Sequence, residues 1–476
     1  MVVGEIAVET DVVIIGGGPG GYAAAIRLGQ LGKSVVLIEK EEMGGVCLNR
    51  GCIPSKALIH AAGQYHQLSQ LSSLGIHLPE GNAFFSMPDW KFWKSDVVKT
   101  LQKGVTQLCE ANGVTIVKGN AIFLSSDRIG VETDGDFERF TFQHAIIATG
   151  SRPYIPSPLH TDGAVILDST DVLQLDRVPE SLAIIGGGYI GMEIGMAFAK
   201  LGAEVTIIEA AERILSQVSA HLTQDVVKHA KKLGMRIKTS SKVEAITVEN
   251  GFAHVNISSE KGDKEIIVHE KALITIGRIP NTNEIGLKQA GIDLDERGYI
   301  PVDQTGRTNQ RHIFAIGDTT TGPALAHRAA KQGVVAAESI AGLPTSFDTP
   351  FIPYVIFTEP QIAGVGLTKE QAVERGYQVK SASFPYRGNG RAITTGAGNG
   401  FAEVIVDAKT HVLLGMHIVG EDASNLIGEG VLALEMAARV EDLAWTIHAH
   451  PTLSEMWQEA AEGVLGYAIH MLNKND

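Results

Sequence analysis

The same 30-residue pattern occurs twice in this chain, and this repeat limits the fold more than any other feature. The segment that starts at Asp11 aligns without a gap to the segment that starts at Ser181, and 11 of 30 positions are identical. In each copy a short apolar run ends in glycines, a helix-like stretch follows, and a second β-branched run ends in an acid. This order predicts a strand, a turn, a helix and a strand, so we expect an α/β unit at each copy.

The glycines of each copy have the spacing GxGxxG. They are Gly16, Gly18 and Gly21 in the first copy and Gly186, Gly188 and Gly191 in the second. The first glycine of such a motif makes a tight turn, the second lets the backbone approach a pyrophosphate, and the third lets helix and strand pack closely. Glu39 and Glu209 each lie 23 residues past the first glycine, where a carboxylate can accept hydrogen bonds from a ribose diol. The repeat therefore predicts two Rossmann-like domains that each bind a dinucleotide.

Two cysteines lie five positions apart in the stretch "GGVCLNRGCIPSK", and the chain has only one other, Cys109. A zinc site built from Cys47, Cys52, His60 and His66 is disfavoured, because the spacing is unusual and the two histidines would lie on opposite faces of a helix. A coincidental pair of core thiols remains an alternative. A disulfide across so small a loop would contribute little stability and would be easy to reduce, so a redox role is favoured.

The residues between the cysteines predict how the two sulfurs approach each other. An ideal helix holds residues five apart too far from each other for a disulfide, but Asn49 and Gly51 tolerate unusual backbone angles that would bend the turn. Pro54 suits the first turn of the helix that continues from there. Lys56 lies four residues beyond Cys52 on the same helical face, where its charge would favour a thiolate, although a solvated lysine is the alternative.

Glu193 is an acid inside an otherwise apolar helix, at the position where the first copy has Ala23. A buried carboxylate needs a cationic partner, and Lys56 is the candidate. Near the C-terminus, "TIHAHPTLSE" holds His448, His450 and Glu455 around a proline, Pro451, which we expect to begin a helix. A histidine oriented by a carboxylate can exchange protons with thiols at neutral pH, although a structural histidine is the alternative.

Residues outside the glycine motifs suggest which dinucleotide each copy of the repeat binds. Glu209 should repel the extra phosphate of NADP and no arginine pair follows it, so the second copy is expected to bind NAD. Beside a reactive dithiol, the first copy is expected to bind FAD. Three more predicted strands end in glycine, at 145–150, 272–277 and 312–318, and Asp318 could contact the ribityl chain of the flavin or simply cap a turn.

Composition limits the partners and the location of this 476-residue chain, which is long enough for two to four domains. Its formal charge of -14 disfavours nucleic acid and anionic membranes. No run approaches the roughly 18 apolar residues that span a bilayer. The first ten residues are acidic where a targeting peptide would be basic, and three cysteines in a reducing compartment argue against a structural disulfide. We therefore expect a cytoplasmic protein.

The two glycine motifs, the Cys-x4-Cys pair and HPTxxE, in this order, resemble the pyridine nucleotide disulfide oxidoreductases of the flavin type. The resemblance runs from Asp11 to about Gly463, and it is strongest to the branch that oxidises protein-bound dihydrolipoyl groups with NAD. It implies a homodimer with four regions in each chain. They are an FAD domain at 1–150, an NAD domain at 151–277, a central domain at 278–350 and an α+β dimerisation domain at 351–476.

The resemblance also implies residue roles. Cys47 would meet the substrate, Cys52 would lie against the flavin, Lys56 would pair with Glu193, and His450 and Glu455 would serve the cysteines of the other chain. The positions similar to FAD contacts are Glu39, Lys56, Gly119, Thr149, Gly150, Ser151, Asp318, Ala324, Leu325, Ala326 and His327. Those similar to NAD contacts are Glu193, Glu209, Val243 and Gly277. Arg50 and Ala324 depart from the usual residues, apolar and methionine respectively.

The implied reaction is a relay of two electrons. His450 would take a proton from a dihydrolipoyl thiol, the thiolate would attack Cys47, and electrons would pass from Cys52 through FAD to NAD. The lipoyl group would belong to proteins of 2-oxo acid dehydrogenase or glycine cleavage complexes. Glutathione reductase is the alternative within the family, disfavoured by Glu209, and mercuric reductase and large thioredoxin reductase would need a further C-terminal cysteine pair. A non-catalytic dinucleotide sensor is the alternative from another class.

Overall fold

A computed structural model describes residues 7–77, 83–259 and 261–473. The first glycine repeat opens a sheet with the strand order β3-β2-β1-β6-β5-β4. The elements of this region are β1 (Val8–Ile15), α1 (Pro19–Gln30), β2 (Val35–Glu39), α2 (Gly45–Asn49), α3 (Cys52–Leu68), α4 (Met87–Ala111), β3 (Val114–Lys118), β4 (Asn120–Ser125), β5 (Arg128–Glu132), β6 (Phe137–Ile147) and β7 (Ser151–Pro153). Strands β3, β2, β1 and β6 are mutually parallel, and their apolar side chains are buried.

The second repeat opens a five-stranded parallel sheet with the order β11-β10-β9-β15-β8, and a separate antiparallel meander, β12-β13-β14, packs beside it. The elements are β8 (Ile166–Leu167), β9 (Ser181–Ile185), α5 (Tyr189–Lys200), β10 (Glu204–Ile208), α6 (Ala220–Lys232), β11 (Arg236–Lys238), β12 (Ser241–Glu249), β13 (Phe252–Ser259), β14 (Lys264–His269), β15 (Lys271–Ile274) and β16 (Arg278–Pro280). Strand β16 pairs with β7 and so links the two regions.

The remaining chain first completes the first sheet and then forms a five-stranded antiparallel sheet, β18-β19-β22-β21-β20, with helices packed on it. The elements are β17 (Ile313–Ala315), α7 (Ala326–Ile340), β18 (Tyr354–Ile356), β19 (Gln361–Gly366), α8 (Lys369–Glu374), β20 (Val379–Pro385), α9 (Gly390–Thr394), β21 (Phe401–Asp407), β22 (Leu413–Gly420), α10 (Ala423–Glu435), α11 (Val440–Ala444) and α12 (Glu455–Leu465). Strand β17 pairs in parallel with β6. The prediction of two Rossmann-like domains and a C-terminal α+β domain is confirmed.

The third position of each motif must be glycine for the same structural reason. A Cβ on Gly21 would lie 1.8 Å from the carbonyl oxygen of Gly16, and a Cβ on Gly191 would lie 2.2 Å from that of Gly186. A side chain at either position would therefore push the helix away from the strand. Among the described residues, no helix is both long and apolar enough to cross a membrane.

Candidate active site

A cavity of about 830 Å³ lies where the first glycine loop meets α2, α3 and the start of the second repeat. Its wall includes the ends of β1 and β6 and the turn that follows β17. This position, outside the carboxyl ends of parallel strands, is where open α/β sheets bind ligands, and the volume is that of a cofactor-sized pocket.

The first glycine loop leaves space where a pyrophosphate is expected. A Cβ on Gly16 would lie 2.3 Å from the carbonyl oxygen of Ala148, so this glycine is needed for chain packing. A Cβ on Gly18 would have only Gly45 within 4 Å, at 3.9 Å, and Gly18 lines the cavity. Helix α1 begins directly after Gly18 and has no side-chain cap, so its N-terminus is suited to a phosphate. The loop thus fits the diphosphate of a dinucleotide.

The two repeat acids each bind their own glycine loop. Glu39 Oε2 accepts a hydrogen bond of 2.7 Å from Gly17 N, and Glu209 Oε2 accepts one of 2.6 Å from Gly187 N. In both copies the other carboxylate oxygen accepts a backbone N–H two residues further on. The sequence suggested only the ribose contact. A carboxylate has about four acceptor positions, so these bonds leave acceptors for a ribose diol as well.

The part of the cavity where the sequence places the flavin is a hydrogen-bond network around Ser151. Its hydroxyl donates to Asp318 Oδ2 at 2.6 Å, and Arg278 donates to both its hydroxyl and its carbonyl oxygen. Arg278 was not identified from the sequence, although it directly follows Gly277, one of the expected site residues. The remaining expected positions that line the cavity are Gly119, Thr149, Gly150, Ala324 and Ala326. Leu325 and His327 are not among its lining residues, and His327 Nε2 lies 2.8 Å from the carbonyl oxygen of Pro353.

The two cysteines lie on either side of a break between two helices. Cys47 is in α2 and Cys52 begins α3, and both line the cavity. The break is at Arg50, with φ -139°, and at Gly51, with ψ -103°. The expectation that Asn49 bends the chain is wrong, because Asn49 is helical. Its side-chain amide instead donates to three backbone carbonyl groups at the start of α2, which holds the turn in place.

The environment makes the two thiols unequal. The hydrogen bond from Cys47 lowers the pKa of Cys52 to about 7, with help from the charge of Lys56 and against the effect of burial. The same hydrogen bond, together with burial, raises the pKa of Cys47. The exposed face of Cys52 opens onto the cavity. Cys52 is therefore the more acidic thiol of the pair.

Lys56 and Glu193 are brought together although they are 137 positions apart. Lys56 Nζ lies 2.7 Å from Glu193 Oε2, and Phe357 N donates to Glu193 Oε1 at 2.9 Å. The ammonium group also lies 4.6 Å from the centre of the Phe357 ring. Glu193 is only 3% exposed, so the pair supplies the counter-charge that this carboxylate needs.

The C-terminal histidine pairs with its carboxylate as the spacing suggested. His450 Nδ1 lies 2.9 Å from Glu455 Oε1, and Thr452 N donates to Glu455 Oε2 at 2.8 Å. Burial acts to raise the pKa of Glu455, but these hydrogen bonds outweigh it and hold the pKa below its usual value. The expectation that Pro451 begins a helix is wrong. Helix α12 begins at Glu455, after a turn that is held by the Glu455 side chain itself.

His450 lies away from the cavity of its own chain. Its side chain is 79% exposed, and neither His450 nor Glu455 lines the cavity. His448 is instead held at 2.7 Å from Glu429, with its side chain 5% exposed, and this hydrogen bond raises the pKa of His448. Four exposed apolar side chains, called the C-terminal apolar residues here, precede His450 in the sequence. They are Leu432, Met436, Trp445 and Ile447.

The second glycine motif forms a separate site next to the cavity. Gly186, Gly188 and Gly191 surround the start of α5, and a Cβ on Gly188 would meet nothing within 4 Å. Val243 lies in β12, and Gly277 follows β15 with φ +138°. Tyr189 directly follows Gly188 and lines the cavity. Sequence reasoning missed Tyr189. No group of three or more metal-ligating side chains occurs in the described ranges.

Comparison with known proteins agrees with this geometry. Residues 10–333 match the model of the pyridine nucleotide-disulphide oxidoreductases, and residues 352–461 match the dimerisation domain of that family. A dihydrolipoyl dehydrogenase of Geobacillus stearothermophilus is 45% identical over 474 residues, and one of Halobacterium salinarum is 43% identical over 477 residues. Both alignments cover 100% of each protein. The crystal structure of LpdA from Mycobacterium tuberculosis superimposes with a TM-score of 0.89 at 28% identity, covering 95% of this chain and 99% of that one.

Proposed function

The chain belongs to the pyridine nucleotide-disulphide oxidoreductase family, and within it we propose that it oxidises protein-bound dihydrolipoyl groups to lipoyl groups and reduces NAD+ to NADH. The observation that carries the proposal is the pair Cys47 and Cys52 on the wall of a cavity that the first dinucleotide loop also lines. The full-length similarity to dihydrolipoyl dehydrogenases supports this substrate over other disulfides.

FAD fits the cavity, and NAD fits the second glycine motif. Gly18, Glu39 and the N-terminus of α1 would hold the ADP half of FAD, and the network of Ser151 with Asp318 would hold its flavin half. When bound, FAD accepts two electrons from the dithiol and passes them to NAD as a hydride. Gly188 and Glu209 would hold NAD, and the Glu209 carboxylate disfavours the extra phosphate of NADP.

The unequal surroundings of the two cysteines determine which sulfur the substrate attacks. In the oxidised enzyme, a dihydrolipoyl thiolate forms a bond to Cys47 Sγ while the Cys47–Cys52 bond breaks and Cys52 leaves as a thiolate. In this step Cys47 has no proton to donate, and it is the charge of Lys56 that favours the Cys52 thiolate as the leaving group and so favours attack at Cys47. The second substrate thiol then attacks the substrate sulfur of the mixed disulfide, the bond to Cys47 breaks, and the proton of that thiol passes to Cys47, which releases the lipoyl ring and leaves Cys47 as a thiol. Lys56 stabilises the charge on Cys52.

His450 and Glu455 would act on the cysteines of a second copy. Glu455 accepts the proton on Nδ1 of His450, which leaves Nε2 to take the substrate proton. His450 is exposed, and exposed apolar side chains precede it in the same C-terminal region. In a homodimer built on the dimerisation domain, these C-terminal apolar residues would be covered and His450 would complete the site of the partner.

The proposal extends to organisation and partners. The four regions would be bounded near 150, 277 and 350, and the 278–350 region would help to complete the FAD site because it supplies β17 to the first sheet. The lipoyl groups would be carried by other proteins, those of 2-oxo acid dehydrogenase or glycine cleavage complexes. A reactive dithiol that must be reduced in turnover is suited to the cytoplasm.

One comparison of rates tests the proposed substrate and coenzyme. The purified protein is assayed with dihydrolipoamide plus NAD and, separately, with glutathione disulfide plus NADPH. The first pair is expected to react far faster. Faster reaction of glutathione disulfide with NADPH would overturn the assignment.

A further inference from the structure

Arg50, which lies between the two cysteines, is not needed in the thiol chemistry above. We propose that Arg50 binds the pyrophosphate of FAD and slows release of the cofactor. The inference rests on the proposed function only in that FAD must occupy the cavity.

The position of Arg50 places the glycine loop within reach of its side chain. Helix α2 begins at Gly45, which touches the loop so closely that a Cβ on Gly45 would lie 2.7 Å from Gly18 Cα. Arg50 directly follows the last residue of this helix. Along the helix axis it lies about 7.5 Å from Gly45, a distance that an arginine side chain can span. Gly18, Gly45, Val46 and Arg50 all line the cavity. Val46 has no polar atom in its side chain, and the amide of Asn49 already donates to three backbone carbonyl groups, so Arg50 is the cationic side chain of this segment that can donate to a phosphate.

Acidic side chains outnumber basic ones in the cavity wall, so a bound pyrophosphate requires a nearby cation. The acids in its wall are Glu39, Glu41, Glu132, Glu193, Glu284 and Asp318, and the cations are Lys40, Arg50, Lys56, Arg152 and Arg278. Lys56 is paired with Glu193. Arg152 and Arg278 donate to groups at the flavin end. Lys40 follows Glu39, on the ribose side of the loop. Arg50 is therefore the cation best placed to neutralise the diphosphate.

The present partner of Arg50 leaves it able to bind phosphate. Its Nη2 atom pairs with Glu41, and both side chains are partly exposed, at 36% and 42%. A guanidinium has five donors in a planar fork, and this contact uses one nitrogen. An exposed ion pair contributes little to stability, so the arginine can bind a phosphate with its other donors, or exchange Glu41 for it, at small cost.

The experiment measures how fast FAD leaves the purified holoenzyme. Wild type, Arg50→Val, Glu41→Gln and the double variant are diluted, and the FAD that passes a filter is followed with time. A charge-assisted hydrogen bond to phosphate corresponds to about a tenfold to hundredfold effect, so Arg50→Val should release FAD faster by that factor. Glu41→Gln should release FAD no faster than wild type, and the double variant should release it as fast as Arg50→Val.

A matched control removes an arginine of the same kind far from the cavity. Arg236 forms a surface pair with Glu204 in the second repeat, and Arg236→Val should release FAD at the wild-type rate. Arg50→Lys keeps the charge but loses the planar fork, so its rate should fall between wild type and Arg50→Val, which keeps the test valid if Arg50→Val does not fold.

Two results would overturn the inference. One is an Arg50→Val rate within about twofold of wild type. The other is a double variant that regains the wild-type rate, because Arg50 would then act only by neutralising Glu41. A wild-type protein that holds no FAD at all would instead refute the proposed function, so the two failures are distinguishable.

Discussion

Lys56 Nζ lies 2.7 Å from Glu193 Oε2, so an ion pair joins the helix that carries Cys52 to the helix that opens the second dinucleotide unit. The two charges act on Cys52 in opposite directions. Lys56 lowers the pKa of the thiol and Glu193 raises it. Together with the hydrogen bond from Cys47, the pair thus influences how readily Cys52 forms a thiolate.

Glu193→Gln should lower the pKa of Cys52 below its value of about 7, because the charge that opposes the thiolate is removed. Lys56→Met should raise it. The pH dependence of alkylation of the reduced enzyme by iodoacetamide measures both shifts. Glu270→Gln removes a carboxylate that is paired with Arg177 elsewhere, and it should leave the curve unchanged. Shifts of the same sign in the two site variants would contradict this account.

His450→Ala should slow dihydrolipoamide oxidation by roughly two to four orders of magnitude, because the substrate thiol loses its base. His470→Ala is the matched control, since His470 also pairs with a glutamate, Glu459, and is exposed. It should retain wild-type activity. Steady-state NADH formation measures both.

Mixed dimers test whether His450 serves the other chain. When a Cys47→Ser chain is paired with a His450→Ala chain, a shared site places both lesions in one active site and leaves the second intact. The mixed dimer should therefore show about half of wild-type activity, far above either parent. Activity no higher than that of the parents would mean that each chain uses its own histidine.

Glu209→Gln should reduce the preference for NAD over NADP by roughly tenfold to a hundredfold, because a like charge that faces the extra phosphate is removed. Glutamine can still accept the hydrogen bond from Gly187 N, which keeps the contact to the glycine loop, and it loses only the one from Ala211 N. The ratio of kcat/KM values for the two coenzymes measures the change. Glu249→Gln, an exposed acid in the same region, should leave the ratio unaltered.

His221 on α6 lies 3.0 Å from the buried Glu403 on β21, and this hydrogen bond raises the pKa of His221. A histidine with a raised pKa in the folded state stabilises the fold fully below its unfolded value of about 6.5, and this contribution is lost as pH rises through the raised value. Glu370 and Lys369 also act on it. His221→Gln should therefore lower the unfolding temperature more at about pH 5.5 than at about pH 8.5. An equal loss at both pH values would contradict the assignment.

Features that depend on local pattern were predictable from the sequence. The glycine repeat predicted β1, α1 and β2 and their counterparts β9, α5 and β10. The apolar pattern and the turn glycines that determine these elements all lie within one stretch of 30 residues. The pairing of Lys56 with Glu193 could also be anticipated, since a carboxylate in an apolar helix needs a cation.

Features that depend on contacts between distant segments were not predictable in the same way. Strand β17 joins the first sheet about 165 positions after β6, and no local pattern specifies that partner. Helix α12 begins at Glu455 rather than at Pro451, and the Glu455 side chain reaches back to accept a hydrogen bond from Thr452 N, a capping contact that the proline alone does not specify. The contact of His327 with Pro353 likewise depends on how the third region folds back on α7.

The central claim is that electrons pass through the Cys47–Cys52 pair, and the most direct test is NADH formation from dihydrolipoamide by Cys52→Ser. We expect this variant to retain FAD and to form almost no NADH. Cys109→Ser is the control, because Cys109 is buried and burial raises its pKa to about 11, and it should be fully active. Wild-type rates of NADH formation by Cys52→Ser would contradict the account.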